Sequence, residues 1–318
     1  MTHSPSPLPA LSAPVAGGQA ASSPVQAQPA AQTVHQQFVD WLRQVAPSIH
    51  KFRGQTFVVG IPGEMLLVEN ALNALIHDLS LLHSIGIRVV IVNGCRPQIN
   101  AQLRLRGQAS HYHDGLRITD AVALECAKEA AGEIRYDMEA AFSQGLANTP
   151  MANAGIRVVS GNFTLARPVG IVDGVDFAYS GLVRKVDAAS IRHALDNQQI
   201  VLLSNIGYSA TGEAFNLAME DVAAITAMAL NADKLVFLAE VPGVRGEDGQ
   251  IQTEISEAQA RAVLAQPDLE LPLRIYLTAA LKACEGGVAR SHVVPFAVDP
   301  FSSSRGVKRL SRHTLGLR

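Results

Sequence analysis

The chain alternates between short apolar runs and longer stretches whose apolar residues follow helical spacing. Residues 56–59 favour a strand that enters a glycine- and proline-containing turn, and a helical pattern then runs from about Glu69 to Ser84. Residues 87–92 are almost continuously apolar, which is typical of a strand in a parallel sheet covered by helices on both faces. A second turn at 93–97 leads into a helix through Leu105. This order of strand, turn and helix predicts an α/β fold built from βαβ units.

The same alternation continues to residue 298, with a small β excursion from Phe163 to Gly174. Thr119 or Asp120 is expected to cap the helix that begins at Ala121. We predict further helices and strands from the apolar patterns, with helices at 121–144, 188–195, 219–230, 261–266 and 277–285 and strands at 156–161, 181–187, 200–205, 234–238 and 293–298.

The two ends of the chain have a different composition from the middle. Residues 1–35 contain no Asp, Glu, Lys or Arg, and we predict a disordered leader because such a segment cannot bury enough apolar surface to order itself. Residues 36–52 predict a helix with Phe38, Trp41 and Leu42 on one face, which packs either on the domain's own sheet or on another subunit. Residues 300–318 form a basic tail without usable periodicity. The expected organisation is therefore a leader at 1–35, a domain at 36–299 that includes the helix, and an irregular tail at 300–318.

Composition excludes several classes of partner. Hydrophobic residues make up 48% of the chain and charged residues 17%, with a formal charge of −2, so neither nucleic acid nor an anionic membrane is indicated. No apolar run approaches the ~18 residues of a membrane span. The three cysteines are widely spaced and lack a C-x-x-C pair, which favours a reducing cytoplasm over a disulfide framework or a zinc site. We therefore expect a cytoplasmic protein that handles small molecules.

Glycine turns follow several of the predicted strands. In a doubly wound sheet, ligands bind in a crevice at the carboxyl ends of the strands, so we expect any ligand to meet these turns in one crevice. The opening turn at 60–63 looks like a phosphate loop, yet no Lys or Arg lies between Arg53 and Arg88, and Pro62 removes an N–H donor. The turns predicted to line the crevice are 60–63, 93–97, 160–162, 205–212 and 215–221.

The order and residues of these turns resemble a known family. The motifs at 115–120, 215–217 and 232–238 are similar to those of acetylglutamate kinase, which has the amino acid kinase fold. More specifically, four segments resemble bacterial N-acetylglutamate synthase: 92–99, 158–163, 212–217 and 282–288. The resemblance covers about residues 36–299 and implies a three-layer αβα sandwich with a mostly parallel central sheet.

The resemblance also implies which catalytic groups have changed. The kinase turn reads Lys-x-Gly-Gly, and the matching positions here are Gly60, Ile61, Pro62 and Gly63; a second kinase lysine falls at Tyr276. Because phosphoryl transfer depends on electrostatic stabilisation, we predict no catalytic residues and no kinase activity. The alternative is a working acetylglutamate kinase that uses ATP and Mg²⁺. What remains is a vestigial substrate and nucleotide crevice lined by Gly60, Gly63, Gly94, Arg117 and Asn216.

Three polar features of this region have competing interpretations. Arg117 matches an arginine that binds the substrate carboxylate in the kinase, or it is a surface arginine in a turn. Asn216 matches a substrate-side asparagine, or it caps a turn through its side chain. His111 and His113, with Asp114, lack a convincing third ligand, so we predict no metal site.

Tyr276, Lys282, Gly287 and His292 fall in a region that resembles the arginine effector site of arginine-sensitive members. The resemblance implies an arginine-sensing, oligomerising platform for a synthase that converts acetyl-CoA and L-glutamate to N-acetylglutamate, the first step of arginine biosynthesis. We expect L-arginine binding to be weakened or lost, a homo-oligomer formed through the 36–52 helix, and no cofactor held by this chain.

In the resembling family, acetyl-CoA is used by a separate C-terminal acetyltransferase domain. Family character stops at Asp299, and 19 residues are too few to build such a domain. We therefore expect this chain to be inactive as an acetyltransferase by itself, and a disrupted reading frame near residue 299 is one hypothesis for the change.

Overall fold

The computed structural model describes residues 40, 43, 46–47, 49–68, 70–144, 155–246, 250–296 and 315–317, the last three as backbone only. The predicted leader, the predicted helix face of Phe38, Trp41 and Leu42, and residues 300–314 lie outside the described residues. The chain divides into two compact units, 1–48 and 49–318. In the first unit, helical residues Asp40 and Arg43 form an exposed ion pair of 3.2 Å.

The second unit contains seven α-helices among its described residues, together with a 3-10 helix at Met65–Leu67. Most bounds agree with the pattern of apolar residues to within a few positions. The helices are α1 (Ala71–Ser84), α2 (Arg96–Leu105), α3 (Ala121–Ser143), α4 (Ala188–Asp196), α5 (Met219–Leu230), α6 (Glu257–Leu264) and α7 (Leu271–Glu285).

The strands are short, and several follow one another along the chain without a helix between them. They are β1 (Thr56–Ile61), β2 (Arg88–Asn93), β3 (His111–His113), β4 (Leu116–Ile118), β5 (Arg157–Ser160), β6 (Thr164–Pro168), β7 (Ile171–Val172), β8 (Val175–Asp176), β9 (Gly181–Val186), β10 (Gln199–Leu203), β11 (Ile206–Tyr208), β12 (Ala214–Asn216), β13 (Lys234–Ala239), β14 (Glu254–Ile255), β15 (Ser291–Pro295) and β16 (Leu315–Leu317).

The central sheet has the order β14-β16-β15-β13-β1-β2-β10-β5. Six of its strands, from β15 to β5, are parallel, which confirms the predicted mostly parallel sheet. β16 joins antiparallel to β15 and parallel to β14. The sequence predicted no element at 315–317, because three residues in a basic segment give no periodic signal.

Helices cover both faces of this sheet. Along β1, Val58 belongs to the apolar cluster that includes α4, α5 and α7, whereas Val59 belongs to the cluster that includes α1, α2 and α3. Adjacent strand residues point to opposite faces, so each parallel strand contributes to both clusters. This arrangement confirms the predicted three-layer αβα sandwich.

A smaller sheet has the order β12-β11-β6-β9, and among its strands only β6 lies within the predicted β excursion from Phe163 to Gly174. Two hairpins, β3–β4 and β7–β8, complete the unit. Across the described ranges, no helix is both long enough and apolar enough to cross a bilayer.

Candidate functional site

The strand order of the central sheet changes side at β1. From β1 the chain continues to β2 on one side, and a later strand, β13, lies on the other side. Ligands of doubly wound sheets bind at such a point, outside the carboxyl ends of the strands. A cleft lies here, and Gly63, Gly94, Arg117 and Asn216 line it together. Four of the five residues predicted to line the crevice therefore lie together, whereas Gly60 is not among the described residues that line the cleft. The room in the cleft is only about 40 Å³.

Gly60 lies in β1, where the kinase lysine would stand. A Cβ atom added at Gly60 would be 2.7 Å from Phe237 Cδ1 and 2.9 Å from Met219 Sδ. A Cβ added at Gly94 would be 3.3 Å from Met219 Cβ. Met219 and Phe237 therefore occupy the space into which a longer side chain at position 60 would have to extend.

Two acidic and two basic residues line the cleft, so it offers no excess of positive charge to the phosphates of a nucleotide: Glu64, Glu220, Arg96 and Arg117. Arg96 binds Glu220 through two hydrogen bonds of 3.0 and 3.1 Å, and the Glu220 side chain is only 4% exposed. Burial raises the pKa of Glu64, and the nearby Glu240 and Glu220 add to that rise. The Arg96 guanidinium is thus already paired with Glu220, and Glu64 lies near it, which disfavours a polyphosphate.

Tyr276, which replaces the second kinase lysine, is almost fully buried beside this acidic group. Its hydroxyl donates to Glu240 Oε2 at 2.9 Å, and its ring lies 5.5 Å from that of Phe237 between centroids. Burial raises the pKa of Tyr276, and Glu220 and Glu240 raise it further. The residue therefore supplies a neutral hydroxyl and no cation.

Arg117 is buried, so the interpretation as a surface arginine is wrong. Its Nη2 atom donates to Asn100 Oδ1 at 2.6 Å and to the Tyr112 hydroxyl, and the guanidinium lies 4.7 Å from the Tyr112 ring centroid. Burial lowers the pKa of Arg117. Its Nη1 atom has no hydrogen-bond partner among the described residues. Arg117 thus keeps one free donor at the cleft.

Asn216 lies in β12 and does not cap a turn through its side chain. Its Oδ1 accepts from Asn205 at 2.7 Å, and its Nδ2 donates to Thr119 Oγ1 at 3.0 Å. The Cys95 thiol donates to Asn205 Oδ1 at 3.0 Å, and burial raises the pKa of Cys95 to about 12. Because a thiol with such a pKa stays protonated at neutral pH, Cys95 cannot act as a nucleophile there.

Sequence reasoning missed Asn205, Cys95 and Thr119 as members of this network. Cys95 and Asn205 do lie in predicted turns that follow strands, which is the signal that could have identified them. The contact of Met219 with Gly60 was not predicted either, although a Cβ atom at Gly60 would lie 2.9 Å from Met219 Sδ.

The four residues of the predicted effector region make separate contacts. Lys282 Nζ pairs with Asp221 Oδ1 at 2.7 Å, and Gly287 has a φ of 99° in the turn after α7. His292 lies in β15 opposite Val236, and burial, followed by Lys234 and Arg290, lowers its pKa to about 4. Within the described part of the chain, no hydrogen bond or ion pair joins any two of Tyr276, Lys282, Gly287 and His292.

One of the turns that the sequence assigned to a single crevice lines a second cavity instead. The turn at 160–162, with Asn93 and Ser204, lines a space of about 340 Å³ beneath α3. The expectation that all five turns meet one ligand is therefore wrong. The carboxyl ends of the strands lie at one edge of the sheet, but their side chains alternate between its two faces.

The structure also changes the argument about metal ligands. The ligand atoms of His113, Asp114 and Asp173 all lie within 4.8 Å of one another, so a third ligand is present after all. Asp114 and Asp173 are exposed and His113 is partly buried. Exposed acidic groups of this kind are common without a metal, and the absence of a metal site stays a prediction.

Comparison with known proteins gives consistent matches. Residues 55–295 match the model of the amino acid kinase family. The amino-acid acetyltransferase of Ralstonia nicotianae is 56% identical over 264 residues, which cover 83% of this chain and 58% of that protein. The amino-acid acetyltransferase of Ectopseudomonas mendocina is 46% identical over 278 residues, covering 87% of this chain and 64% of that protein. The chain thus spans about three fifths of these curated relatives.

Solved structures give the same fold. The N-acetylglutamate synthase from Neisseria gonorrhoeae, crystallised with coenzyme A and L-arginine, has a TM-score of 0.75 and 35% identity, over 88% of this chain and 65% of that chain. Giardia carbamate kinase has a TM-score of 0.60 at 16% identity, over 83% of this chain and 98% of that one, and supports the fold alone.

Proposed function

Because the chain belongs to the amino acid kinase family and its curated relatives are amino-acid acetyltransferases, we propose that residues 55–295 are the kinase-like portion of an N-acetylglutamate synthase. In this proposal the domain has lost phosphoryl transfer and serves regulation and assembly. The whole protein would transfer an acetyl group from acetyl-CoA to L-glutamate, the first step of arginine biosynthesis, in the cytoplasm.

One observation carries the proposal that kinase activity is lost. The position of the kinase lysine is Gly60, and Met219 and Phe237 fill the space that its side chain would need. Loss of the lysine removes the charge that stabilises a transferring phosphoryl group, and electrostatic stabilisation of this kind supplies much of the rate of such reactions. The carboxyl groups of Glu64 and Glu220, which line the cleft, oppose the binding of ATP there.

The alternative function is phosphorylation of N-acetylglutamate by ATP, as in acetylglutamate kinase. Arg117 and its free Nη1 donor favour it, because this arginine still lies in the cleft where a substrate carboxylate could be bound. The small room of about 40 Å³ opposes it, since ligand pockets usually offer roughly 300 Å³ or more.

Two assays on the purified chain test the proposal. ATP with N-acetylglutamate and Mg²⁺ should give no phosphorylated product, and acetyl-CoA with glutamate should give no N-acetylglutamate from this portion alone. A steady ATP-dependent turnover that disappears in an Arg117→Leu variant would establish the kinase alternative. Turnover of acetyl-CoA by residues 49–318 would contradict the assignment of this portion to regulation.

We also propose that L-arginine binds to this domain only weakly. Arginine needs an acidic group for its guanidinium and donors for its carboxylate. In the predicted effector region, Asp221 is already paired with Lys282, and Glu240 already accepts from Tyr276. Burial keeps His292 neutral, so it offers no positive charge to a carboxylate.

Thermal unfolding in the presence of L-arginine tests this weak binding. With millimolar L-arginine, the unfolding temperature should rise no more than it does with D-arginine at the same concentration. A stereospecific rise of several degrees would show instead that the effector site is intact.

A further inference from the structure

Three neighbouring parallel strands end in polar residues on the same face of the central sheet. Along β2, Val89 and Ile91 point into the cluster beneath α1–α3, and Asn93 follows in the same alternation. On β10, Ile200 and Leu202 point to that face, with Ser204 next. β5 repeats the pattern and ends at Ser160. The side-chain period of two therefore places these three polar residues together at the carboxyl edge.

Helix α3 leaves open space above these residues. Lys128, Gly132 and Arg135 are spaced at i, i+4 and i+7, which places them on one face of the helix, and all three line the cavity. A Cβ atom added at Gly132 would meet no atom within 4 Å. Glycine in a helix interior costs roughly 1 kcal/mol relative to alanine. The helix thus carries a destabilising residue where it lines the cavity.

Asn93 shows that the cavity is made to hold something polar. The residue is fully buried, and neither its amide nitrogen nor its amide oxygen has a hydrogen-bond partner among the described residues. A buried amide without partners is destabilising, so native proteins rarely retain one. Its donor and acceptor lie side by side, so a group with a neighbouring donor and acceptor, such as another amide, complements both at once.

The charged residues that line the cavity are Lys128 and Arg135, and each has a carboxylate partner beside it. Lys128 is paired with Glu125 at 2.5 Å, and Arg135 with Glu139 at 2.7 Å. Ser160 Oγ lies 3.5 Å from Glu139 Oε1. These charges balance, which favours a zwitterion over a simple anion, because a ligand carboxylate and a ligand ammonium would each find an opposite charge.

We propose that this cavity is a second ligand site, separate from the kinase-type cleft, and that it binds a free amino acid whose side chain ends in an amide. The amide would pair with Asn93 at the floor, while the α-carboxylate and α-ammonium lie near Lys128, Arg135 and Glu139 at the rim. Its space of about 340 Å³ falls in the range of small-molecule pockets, unlike the cleft with about 40 Å³.

Titration calorimetry of the full chain with L-glutamine tests the site. L-glutamine should bind saturably and more tightly than L-glutamate, because a carboxylate cannot donate to the Asn93 oxygen. Asn93→Leu should weaken binding by about 10-fold, the value of one to two hydrogen bonds. Gly132→Leu should abolish binding by filling the cavity, whereas Gly132→Ala, which adds one methyl group in open space, should change it by less than about 3-fold.

Circular dichroism and thermal unfolding test whether each variant folds. In a variant that folds, a loss of binding reports on the site. Three results would overturn the proposal. The first is that L-glutamine shows no saturable binding at about 10 mM. The second is that L-glutamate or inorganic phosphate binds more tightly than L-glutamine. The third is that wild type and Gly132→Leu bind L-glutamine with equal affinity. The assays of kinase and acetyltransferase activity do not depend on this outcome, so the two proposals fail separately.

Discussion

Gly60 lies between two side chains that leave no room for a larger residue. Because a Cβ at this position would approach Phe237 Cδ1 to 2.7 Å and Met219 Sδ to 2.9 Å, we expect Gly60→Ala to destabilise the fold by about 1–3 kcal/mol. Gly60→Lys should destabilise it further and should not produce phosphorylation of N-acetylglutamate. Chemical denaturation and a coupled ATP assay measure the two effects.

Gly132→Ala is the matched control, since the same methyl group enters open space and alanine favours a helix over glycine. This variant should be equal to wild type or more stable. If Gly60→Ala were tolerated equally well, the packing of Met219 and Phe237 would not exclude a side chain at position 60, and the structural argument against kinase activity would fail.

His292 predicts a pH dependence of stability. Burial lowers its folded pKa from 6.5 to about 4, so the unfolded chain binds a proton that the folded chain does not. Stability should therefore be fully present above pH 6.5 and decline as the pH falls from about 6.5 towards about 4. The share from this residue is about 2 kcal/mol, after allowing for the part of the ring that solvent reaches.

Urea denaturation of wild type and His292→Gln at several pH values measures this share. The difference between the two proteins should be constant above pH 7 and should shift by about 2 kcal/mol in favour of the variant near pH 4.5. A constant difference across the whole range would mean that His292 is protonated in the folded state at those pH values.

At the scale of elements, two helix N-termini meet across the reversal point of the sheet. Arg96 begins α2 and Glu220 lies in the first turn of α5, and their bidentate pair links a helix on one face of the sheet to a helix on the other. Removing one partner leaves the other charge largely buried. We therefore expect Arg96→Met or Glu220→Leu alone to cost about 2–4 kcal/mol.

The double variant Arg96→Met/Glu220→Leu separates the pair from the packing around it. Its loss should be smaller than the sum of the single losses by at least about 1 kcal/mol. The exposed pair Arg88–Asp196, at 2.8 Å, is the control and should contribute only about 0–1 kcal/mol. Additive losses at Arg96 and Glu220 would show that the two helices are not coupled through this contact.

The sequence predicted long elements well and short ones poorly. Strands β1 and β2 were found because their apolar runs are continuous, whereas the three-residue strands β3 and β4 carry almost no periodic signal. Helix α7 begins six residues earlier than predicted, at Leu271. Pro272 in its first turn is a start signal that the apolar pattern alone did not use. Ser256 and Gln259 likewise form a capping box at the start of α6 that the sequence already contains.

Part of the candidate site could also be predicted from the sequence. Turns after parallel strands converge at one edge, so Gly63, Gly94, Arg117 and Asn216 were correctly expected to line one cleft. The filling of that cleft by the Met219 side chain could not be predicted, because side-chain packing between α5 and β1 has no signature in the sequence. The division of the turns between two cavities follows from which face each side chain points to, as Asn93 shows.

At the scale of the molecule, the described unit combines a nearly filled cleft with an open cavity beneath α3. The cleft has about 40 Å³ and the cavity about 340 Å³, although both lie at the carboxyl edge. If the proposed function is correct, the domain keeps its fold without phosphoryl transfer, and the open cavity remains available to a ligand.

The remaining prediction concerns assembly through the helix at 36–52. Phe38, Trp41 and Leu42 follow helical spacing and would form one apolar face, with Arg43 off that face. If this face contacts another subunit, the variant Phe38→Glu/Trp41→Glu/Leu42→Glu should lower the molar mass measured by light scattering from an oligomer to a smaller species, because buried carboxylates oppose association. Arg43→Glu is the control, since it changes charge outside the face and should leave the mass unchanged. An unaltered mass in the triple variant, with an unaltered circular dichroism spectrum, would place the oligomer contact elsewhere on the chain.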